Sequence, residues 1–576
     1  MISLNLWRTV WKKRPLSEKE QLVLLEDSDS DEVTSEVSDA DFFPSDSPLN
    51  SESSSDSDSS DGNNQLFTSS SGSPKYMFSK NKKIEWRDTP YAGHGRTSSA
   101  NIIKLNPGQT SYATSRATDV KSSFLLYFTP TIGKIIIDMT NVEGAKIFGD
   151  KWQKIDYNDL HCYLGLLILA GVFKSHGEAL TSLWSEEFGR PIFRAAMSLK
   201  RFKVISRVLR FDNKNTRAER RLSDKMAAIR EWWDTWVEVL PKLYNPGNHV
   251  TIDEHLVGFR GRCPFRQYMP KKTSKYGIKI WIVCNSKSAY AWNVLLYTGK
   301  PKDGPPEKNQ ASRVVLAITY GLSGHNVTFD NWFSFYELSQ LLLKRKVTML
   351  GTIRKNKPEL PIEFTHSKGK EVHTTIFGFT TDTTLVAYTP KKNICITLIS
   401  TMHNKGDISN RSDRKTTMIL DYNSTKGAVD TLDQIVATYT CKRGTTQWPV
   451  VLFYNIIDVS AYNAFVVWRE INLSYHENKK NRRRYFVEEL GYELIKPSLH
   501  NRKFLPRTEA AAAIVKKSQI DPTEDSNMNR CKTNAKKRGR CNFCPRELDR
   551  KYSDKSHKCL KVTCKNHFYQ VCNSCK

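Results

Sequence analysis

The hydrophobic positions of this chain change period twice. From about residue 118 they recur at helical spacing. Segment 156–173 puts Leu160, Leu164, Leu167, Ile168 and Leu169 on one apolar side and predicts a buried helix. Segment 226–241 repeats the pattern with Ile229, Trp232, Trp233, Trp236 and Leu240, and its tryptophans read as core. After Pro246 the pattern turns strand-like, in HVTID, LVGFR, YGIKIWIVC, AYAWNVLLY, NVTFD and VTMLGTIR. Helices are expected at 311–322 and, after NVTFD, at 333–345. Strands interleaved with helices predict a mixed α/β core. Residues 357–416 hold short β-rich pieces, TTIFGFT, TLVAYT and ICITLIS, which predict an all-β insertion. Helical spacing returns at 425–435 and 447–470; 479–495 is very basic, and a low-complexity basic linker covers 506–540.

Charge changes the picture. Residues 17–62 hold fifteen Asp or Glu and one Lys, a local net of −14, in a chain that carries +28 overall. The remainder therefore carries +42. Such a surplus points to a polyanion, and nucleic acid is the usual one. Residues 17–75 are too rich in Ser, Asp and Glu to bury enough apolar area to offset chain entropy, so disorder is expected there. The first residues have no apolar stretch suited to a signal peptide, and the greasy run 164–173 is about half a membrane span. A secreted or membrane-spanning protein is not expected. Seven of the twelve cysteines follow residue 530, a clustering that favours metal ligation over disulfides.

Candidate chemistry begins with carboxylates at strand ends. Asp253 ends one strand in TIDEH and Asp330 another in TFDNWF. Asp430 and Asp433 stand three apart in GAVDTLDQ, on one side of a helix. Carboxylates from separated segments can converge on divalent ions, which activate the attacking oxygen and stabilise the leaving oxygen of a phosphodiester. Mg²⁺ suits such ligands.

These motifs carry a resemblance. TIDEHLVGFRGRCPFRQYMPKKTSKYGIKIW (251–281), TFDNWFS (328–334), GTIRKNK (351–357) and DYNSTKGAVDTLDQ (421–434) resemble the piggyBac family of transposases, in the expected order, over residues 118–576. The resemblance implies a multidomain α+β protein. An RNase H-like catalytic core (249–356 and 417–439) is interrupted by a β-rich insertion (357–416). A split α-helical dimerisation and DNA-binding domain (118–248 and 440–505) flanks it. A basic linker (506–537) and a cysteine-rich zinc-binding domain (538–576) follow; residues 1–117 lie outside the resemblance and are read from composition as a disordered acidic, Ser-rich region. The resemblance makes Asp253, Asp330 and Asp430 a DDD triad for Mg²⁺ or Mn²⁺, with Asp433 a further aspartate near the site that joins the metal ligands. It implies a homodimer acting on double-stranded DNA, at transposon ends and a TTAA target, through hairpin intermediates, with no membrane and no small-molecule cofactor. The TTAA preference rests on resemblance alone. The second class of function is a domesticated DNA-binding protein whose chemistry is lost or unused.

Basic residues crowd behind the first carboxylate. Arg260, Arg262, Arg266, Lys271, Lys272, Lys275 and Lys279 lie in 255–281 with no acidic residue among them, a pattern suited to gripping phosphates. Phe265, Tyr268 and Tyr276 interleave with them, as residues that stack on unpaired bases do. Trp448, in TTQWPV, reads either as a wedge at a flipped base or as the anchor of a helix. Arg482, Arg483 and Arg484 form one further basic cluster; Lys536, Lys537, Arg538 and Arg540 form another that reads as a nuclear-localisation signal, and either cluster equally suits non-specific DNA contact.

The tail reads Cys541-x2-Cys544, His557-x-Cys559, Cys564-x2-His567, Cys572-x2-Cys575, eight ligands for two tetrahedral zinc ions. So short a segment forms little apolar core, so metal is expected to fold it. The order resembles a cross-braced RING or PHD-like finger. That implies one zinc on Cys541, Cys544, Cys564 and His567, and a second on His557, Cys559, Cys572 and Cys575. Ser556 stands where similar tails carry cysteine, and His557 is the nearest substitute. A ubiquitin ligase, suggested by the spacing alone, is disfavoured by the strongly basic tail. In the family this tail helps to recognise the element's end DNA.

Overall fold

The computed structural model describes residues 74–92, 102–270, 272–299, 307, 309–366, 369–520, 539–545, 547–548, 551–552 and 561–567. The strand-like runs assemble into one 11-stranded sheet. Its strands are β1 (Tyr76–Phe78), β2 (Glu85–Arg87), β3 (His249–Gly258), β4 (Gln267–Tyr268), β5 (Tyr276–Asn285), β6 (Ala291–Leu296), β7 (Asn326–Phe329), β8 (Thr348–Thr352), β9 (Thr375–Phe379), β10 (Thr384–Lys391) and β11 (Ile394–Ser400). The helices that matter for the site are α1 (Tyr157–Val172), α2 (Arg230–Leu243), α3 (Gln310–Ile318), α4 (Tyr336–Lys344), α5 (Thr417–Thr425), α6 (Ala428–Thr438), α7 (Trp448–Ile471) and α8 (Arg482–His500).

The centre of the sheet runs β6-β5-β3-β7-β8. β5 pairs antiparallel with both β3 and β6, whereas β7 joins β3 in parallel and β8 joins β7 in parallel. Parallel neighbours need crossovers. α3 lies between β6 and β7 in the chain, and α4 between β7 and β8. HVTID and LVGFR, two runs in the sequence, are one continuous β3.

The β-rich segment does not stand apart. β11 pairs antiparallel with β8, and β10 and β9 follow, so the insertion extends the core sheet. The sheet then ends on β2 and β1, which lie inside the segment expected to be disordered. Strands of three residues show no periodicity. They are held by pairing with β9 and by Trp86, which is fully buried and donates its indole N–H to Glu359 O at 3.2 Å. Residues 17–62 lie outside the described residues.

The helices bury the tryptophans as the spacing predicts. Trp232, Trp233 and Trp236 of α2 are buried, and the Trp236 indole donates to Ser460 Oγ on α7 at 3.0 Å. α1 starts on Asp156, whose carboxylate accepts from Asp159 N, and lies along α8. One helix, α7, is long and apolar enough to cross a membrane by length and composition, but 94% of its apolar window is buried inside the protein. It is the core helix on which α2, α6 and the β3 face converge.

Candidate active site and zinc centre

Parallel pairing sets the first two carboxylates side by side. Ile252 of β3 is opposite Phe329 of β7, and the next residue of each is Asp253 and Asp330. The two positions are therefore about one strand spacing, ~4.8 Å, apart. Asp253 Oδ1 accepts from Glu254 N at 2.7 Å. Asp330 opens the turn out of β7: its Oδ1 accepts from Trp332 N at 2.8 Å and its carbonyl from Ser334 Oγ at 3.0 Å.

α6 packs over β3 and β5 and supplies Asp430 and Asp433, one turn apart. Two contacts fix its placement. His255 is two residues beyond Asp253, on the same face of β3, and its Nδ1 bonds Asp433 Oδ1. Lys272 brings its ammonium to 3.7 Å from both Asp430 Oδ1 and Asp433 Oδ2. Burial pushes the Asp253 carboxyl up to about 8 and raises that of Asp330 as well. Burial opposes the charge on Lys272, but Asp433, Asp253 and Asp430 outweigh it and raise its pKa. Two buried carboxylates, Asp253 and Asp330, lie beneath a helix that carries the more exposed Asp430 and Asp433, and Lys272 reaches both helix aspartates. An all-oxygen donor set of this kind fits a hard divalent cation.

Around this cluster the basic residues divide. Arg260, Arg262, Arg266 and Lys275 are exposed, and Lys272 points at the aspartates. Lys279 does not face solvent: it pairs with Glu254 Oε1 at 2.8 Å, and its ammonium sits 4.9 and 5.0 Å from the ring centres of Trp281 and Trp332. The alternation of β5 turns it inward, so it neutralises Glu254 and is not offered to a phosphate. Lys271 lies outside the described residues. Tyr268 and Tyr276 are exposed and 4.8 Å apart, with the Arg266 guanidinium 5.4 Å over Tyr276. Phe265 is instead buried, edge-on to Trp448 at 5.0 Å. Trp448 is the first residue of α7 and packs on the core, so here it anchors a helix. Arg483 is likewise turned inward, donating to Ile435 O and lying over Tyr439.

Four residues near the cluster escaped sequence reading. His255 and Asn455 meet at 2.9 Å, and Arg354 Nε donates to Asn331 Oδ1 at 3.0 Å, beside Asp330. Alternation along TIDEH was a usable signal for His255. Asn455 carried none.

In the tail, Cys541, Cys544, Cys564 and His567 offer ligand atoms all within 4.8 Å of one another. Cys544 Sγ is 3.6 Å from Cys564 Sγ and 3.4 Å from His567 Nδ1. Tetrahedral zinc with bonds of about 2.3 Å to sulfur needs separations of this order. Burial pushes the Cys541 thiol up, but the N–H groups of Phe543 and Cys564, with His567, bring it down to about 6. A thiolate is thus favoured where a zinc ion would sit. His557, Cys559, Cys572 and Cys575 lie outside the described residues.

With this geometry in place, comparison with known proteins defines the class. The family described as Transposase IS4 matches residues 62–465. The chain is also similar to the human PiggyBac transposable element-derived protein 2, 22% identical over 375 residues (60% of this chain, 61% of that protein). It is 21% identical over 359 residues to the human PiggyBac transposable element-derived protein 3 (58% and 59%). It thus spans about 60% of the length of these curated relatives. A cryo-EM structure of a piggyBac transposase synaptic complex with hairpin DNA matches 82% of this chain and 100% of its own, at 31% identity and a TM-score of 0.69. This chain belongs to the transposase family so matched and, within it, to the piggyBac transposases.

Proposed function

We propose that this chain is a nuclear cut-and-paste DNA transposase whose DDD triad is Asp253, Asp330 and Asp430. The observation that carries the reading is the adjacency of Asp253 and Asp330 on parallel β3 and β7, beneath the helix that bears Asp430. The order β6-β5-β3-β7-β8, three antiparallel strands followed by two parallel ones, supports an RNase H-like core. Mg²⁺ or Mn²⁺ held there would supply activation of the attacking oxygen and stabilisation of the leaving oxygen. The residues of the chain do the rest. Asp253, Asp330 and Asp430 hold the cations and Asp433 closes the cluster. Arg260, Arg262, Arg266 and Lys275 bind the backbone of double-stranded DNA, and Lys272 balances the carboxylates.

The match to a transposase solved as a synaptic complex with hairpin DNA supports paired ends, a homodimer and hairpin intermediates here. TTAA targeting is part of the proposal on the sequence resemblance alone. The Cys541, Cys544, Cys564 and His567 cluster holds structural zinc, and the tail reads the end DNA. A second reading, a domesticated DNA binder without transposition, is favoured by the relatives whose names mark them as derived from transposable elements.

The two separate in one experiment. A reporter interrupted by DNA carrying the sequences that flank this gene is challenged with wild type or Asp253→Ala. Precise repair with wild type alone is expected. Specific binding to those flanks with no excision by either would favour the second reading.

A further inference from the structure

His255 is buried, with 5% of its surface exposed, and both nitrogens of its ring are engaged. Nδ1 meets Asp433 Oδ1, and Nε2 lies 2.9 Å from Asn455 Nδ2. An amide nitrogen can only donate, so Nε2 accepts and the ring proton stands on Nδ1, aimed at Asp433. Three elements are joined through one imidazole: β3 carries His255, α6 carries Asp433 and α7 carries Asn455. The other oxygen of Asp433 faces Lys272 at 3.7 Å.

The consequence reaches Asp430. It sits one turn before Asp433, and its own side chain is 63% exposed, with Lys272 as its ion-pair partner at 3.7 Å. The angular setting of α6 over β3 therefore governs where Asp430 points. The bond from a buried, fixed imidazole to Asp433 is the polar tie from β3 that holds that setting.

We propose that His255 is a positioning residue of the cation site. By donating Nδ1–H to Asp433 it fixes that carboxylate and turns α6 so that Asp430 faces Asp253 and Asp330. The proposal rests on the cation-site reading given above. Hydrogen-bond partners standing behind metal-binding side chains typically change affinity 10–100-fold when removed.

The test is Mn²⁺ binding to the full-length, zinc-loaded chain, read by electron paramagnetic resonance. Asparagine at 255 places its amide nitrogen near the position of Nδ1, and glutamine near that of Nε2. His255→Asn is expected to keep Mn²⁺ affinity within about twofold, whereas His255→Gln and His255→Ala weaken it about tenfold or more. In an Asp433→Ala background, which removes the acceptor of Nδ1–H, His255→Ala should cause no further loss. The ¹⁵N shifts of the His255 ring should report the proton on Nδ1. Wild-type affinity in His255→Gln and His255→Ala would overturn the proposal. So would an equal loss in both backgrounds, because the ring would then act on the fold and not through Asp433. If wild type itself shows no Mn²⁺ binding that Asp253→Ala abolishes, the cation-site reading fails and this proposal with it, a result distinct from wild-type binding that ignores residue 255.

Discussion

Asp253 and Asp458 are aspartates held away from water, and burial pushes their carboxyls up to about 8 and about 7 from the ordinary aspartate value of 3.8. They differ in what faces them. Asp458, on α7, accepts from Thr440 Oγ1 at 2.7 Å and Cys441 N at 2.9 Å, two donors that an asparagine oxygen can keep. Asp253 faces other carboxylates. Each raised pKa means that folding takes up a proton between the unfolded and folded values. The contribution to stability is complete below about 3.8 and is lost as pH rises through about 7 for Asp458 and about 8 for Asp253. Asp458→Asn and Asp253→Asn are therefore expected to be more stable than wild type by ~1–3 kcal/mol at pH 8.5, with the gap closing at pH 4. Added Mg²⁺ should reduce the gap for Asp253→Asn only, since it would stabilise the ionised wild-type site. Urea melts at the two pH values check both, and a gap that does not change with pH would refute the assignment. That Asp253 and Asp330 are carried by core strands was legible from the strand-like runs TIDEH and NVTFD. Lys279 and Phe265 were misread because a basic or aromatic residue in a run does not say which way it points: the alternation of β5 turns Lys279 inward, and Phe265, in the turn before β4, packs on Trp448.

At the scale of elements, α1 and α8 approach along two glycines. A Cβ on Gly165 would stand 2.7 Å from Gly491 O and from Ile495 Cγ2, and one on Gly491 would stand 2.6 Å from Leu169 Cγ. Backbone and buried leucine cannot yield as an exposed side-chain tip can, so Gly491→Val should cost ~1–3 kcal/mol or more through overpacking. Gly177→Ala is the control, because an added Cβ there meets nothing within 4 Å. Thermal melts should show a drop for the first and little change for the second; equal behaviour would mean the helices separate freely. The Cys541, Cys544, Cys564 and His567 cluster gives a second element-scale expectation. Cys564→Ser removes one of four converging ligands and should unfold the tail and abolish its stoichiometric zinc, while Mn²⁺ binding at the aspartates persists. Loss of Mn²⁺ binding as well would mean that the two centres depend on each other. Helix existence was legible from spacing, as α1 and α2 illustrate. Sheet membership was not, because β9–β11 look self-contained in the sequence and only pairing with β8 makes them part of the core sheet.

At the scale of the whole molecule, the sheet closes on β1 and β2, which lie past the acidic run but inside the region 1–117 expected to be disordered. Trp86 is the reason. It is fully buried, bonds Glu359 O and meets the Tyr336 ring edge-on at 5.8 Å, while Arg87 pairs with Phe379 on β9. Lys80 Nζ reaches Lys355 O at 2.6 Å, so the same short segment braces the GTIRKNK loop, whose Arg354 bonds Asn331 beside Asp330. A chain starting at residue 74 should therefore melt like the full chain. One starting at residue 93 should lose about 3–5 kcal/mol, the usual cost of deleting a buried Trp side chain. It also uncovers β9 as a new sheet edge, which invites pairing between molecules. Trp86→Ala in the full chain should reproduce the loss of stability without uncovering the edge. Differential scanning calorimetry measures the first effect and light scattering on heating the second. If both truncations melt at one temperature and stay monodisperse, β1 and β2 are passengers. If only the shorter chain falls, the segment before the family's helical region is part of the catalytic sheet, and truncations meant to remove the acidic head must stop before it.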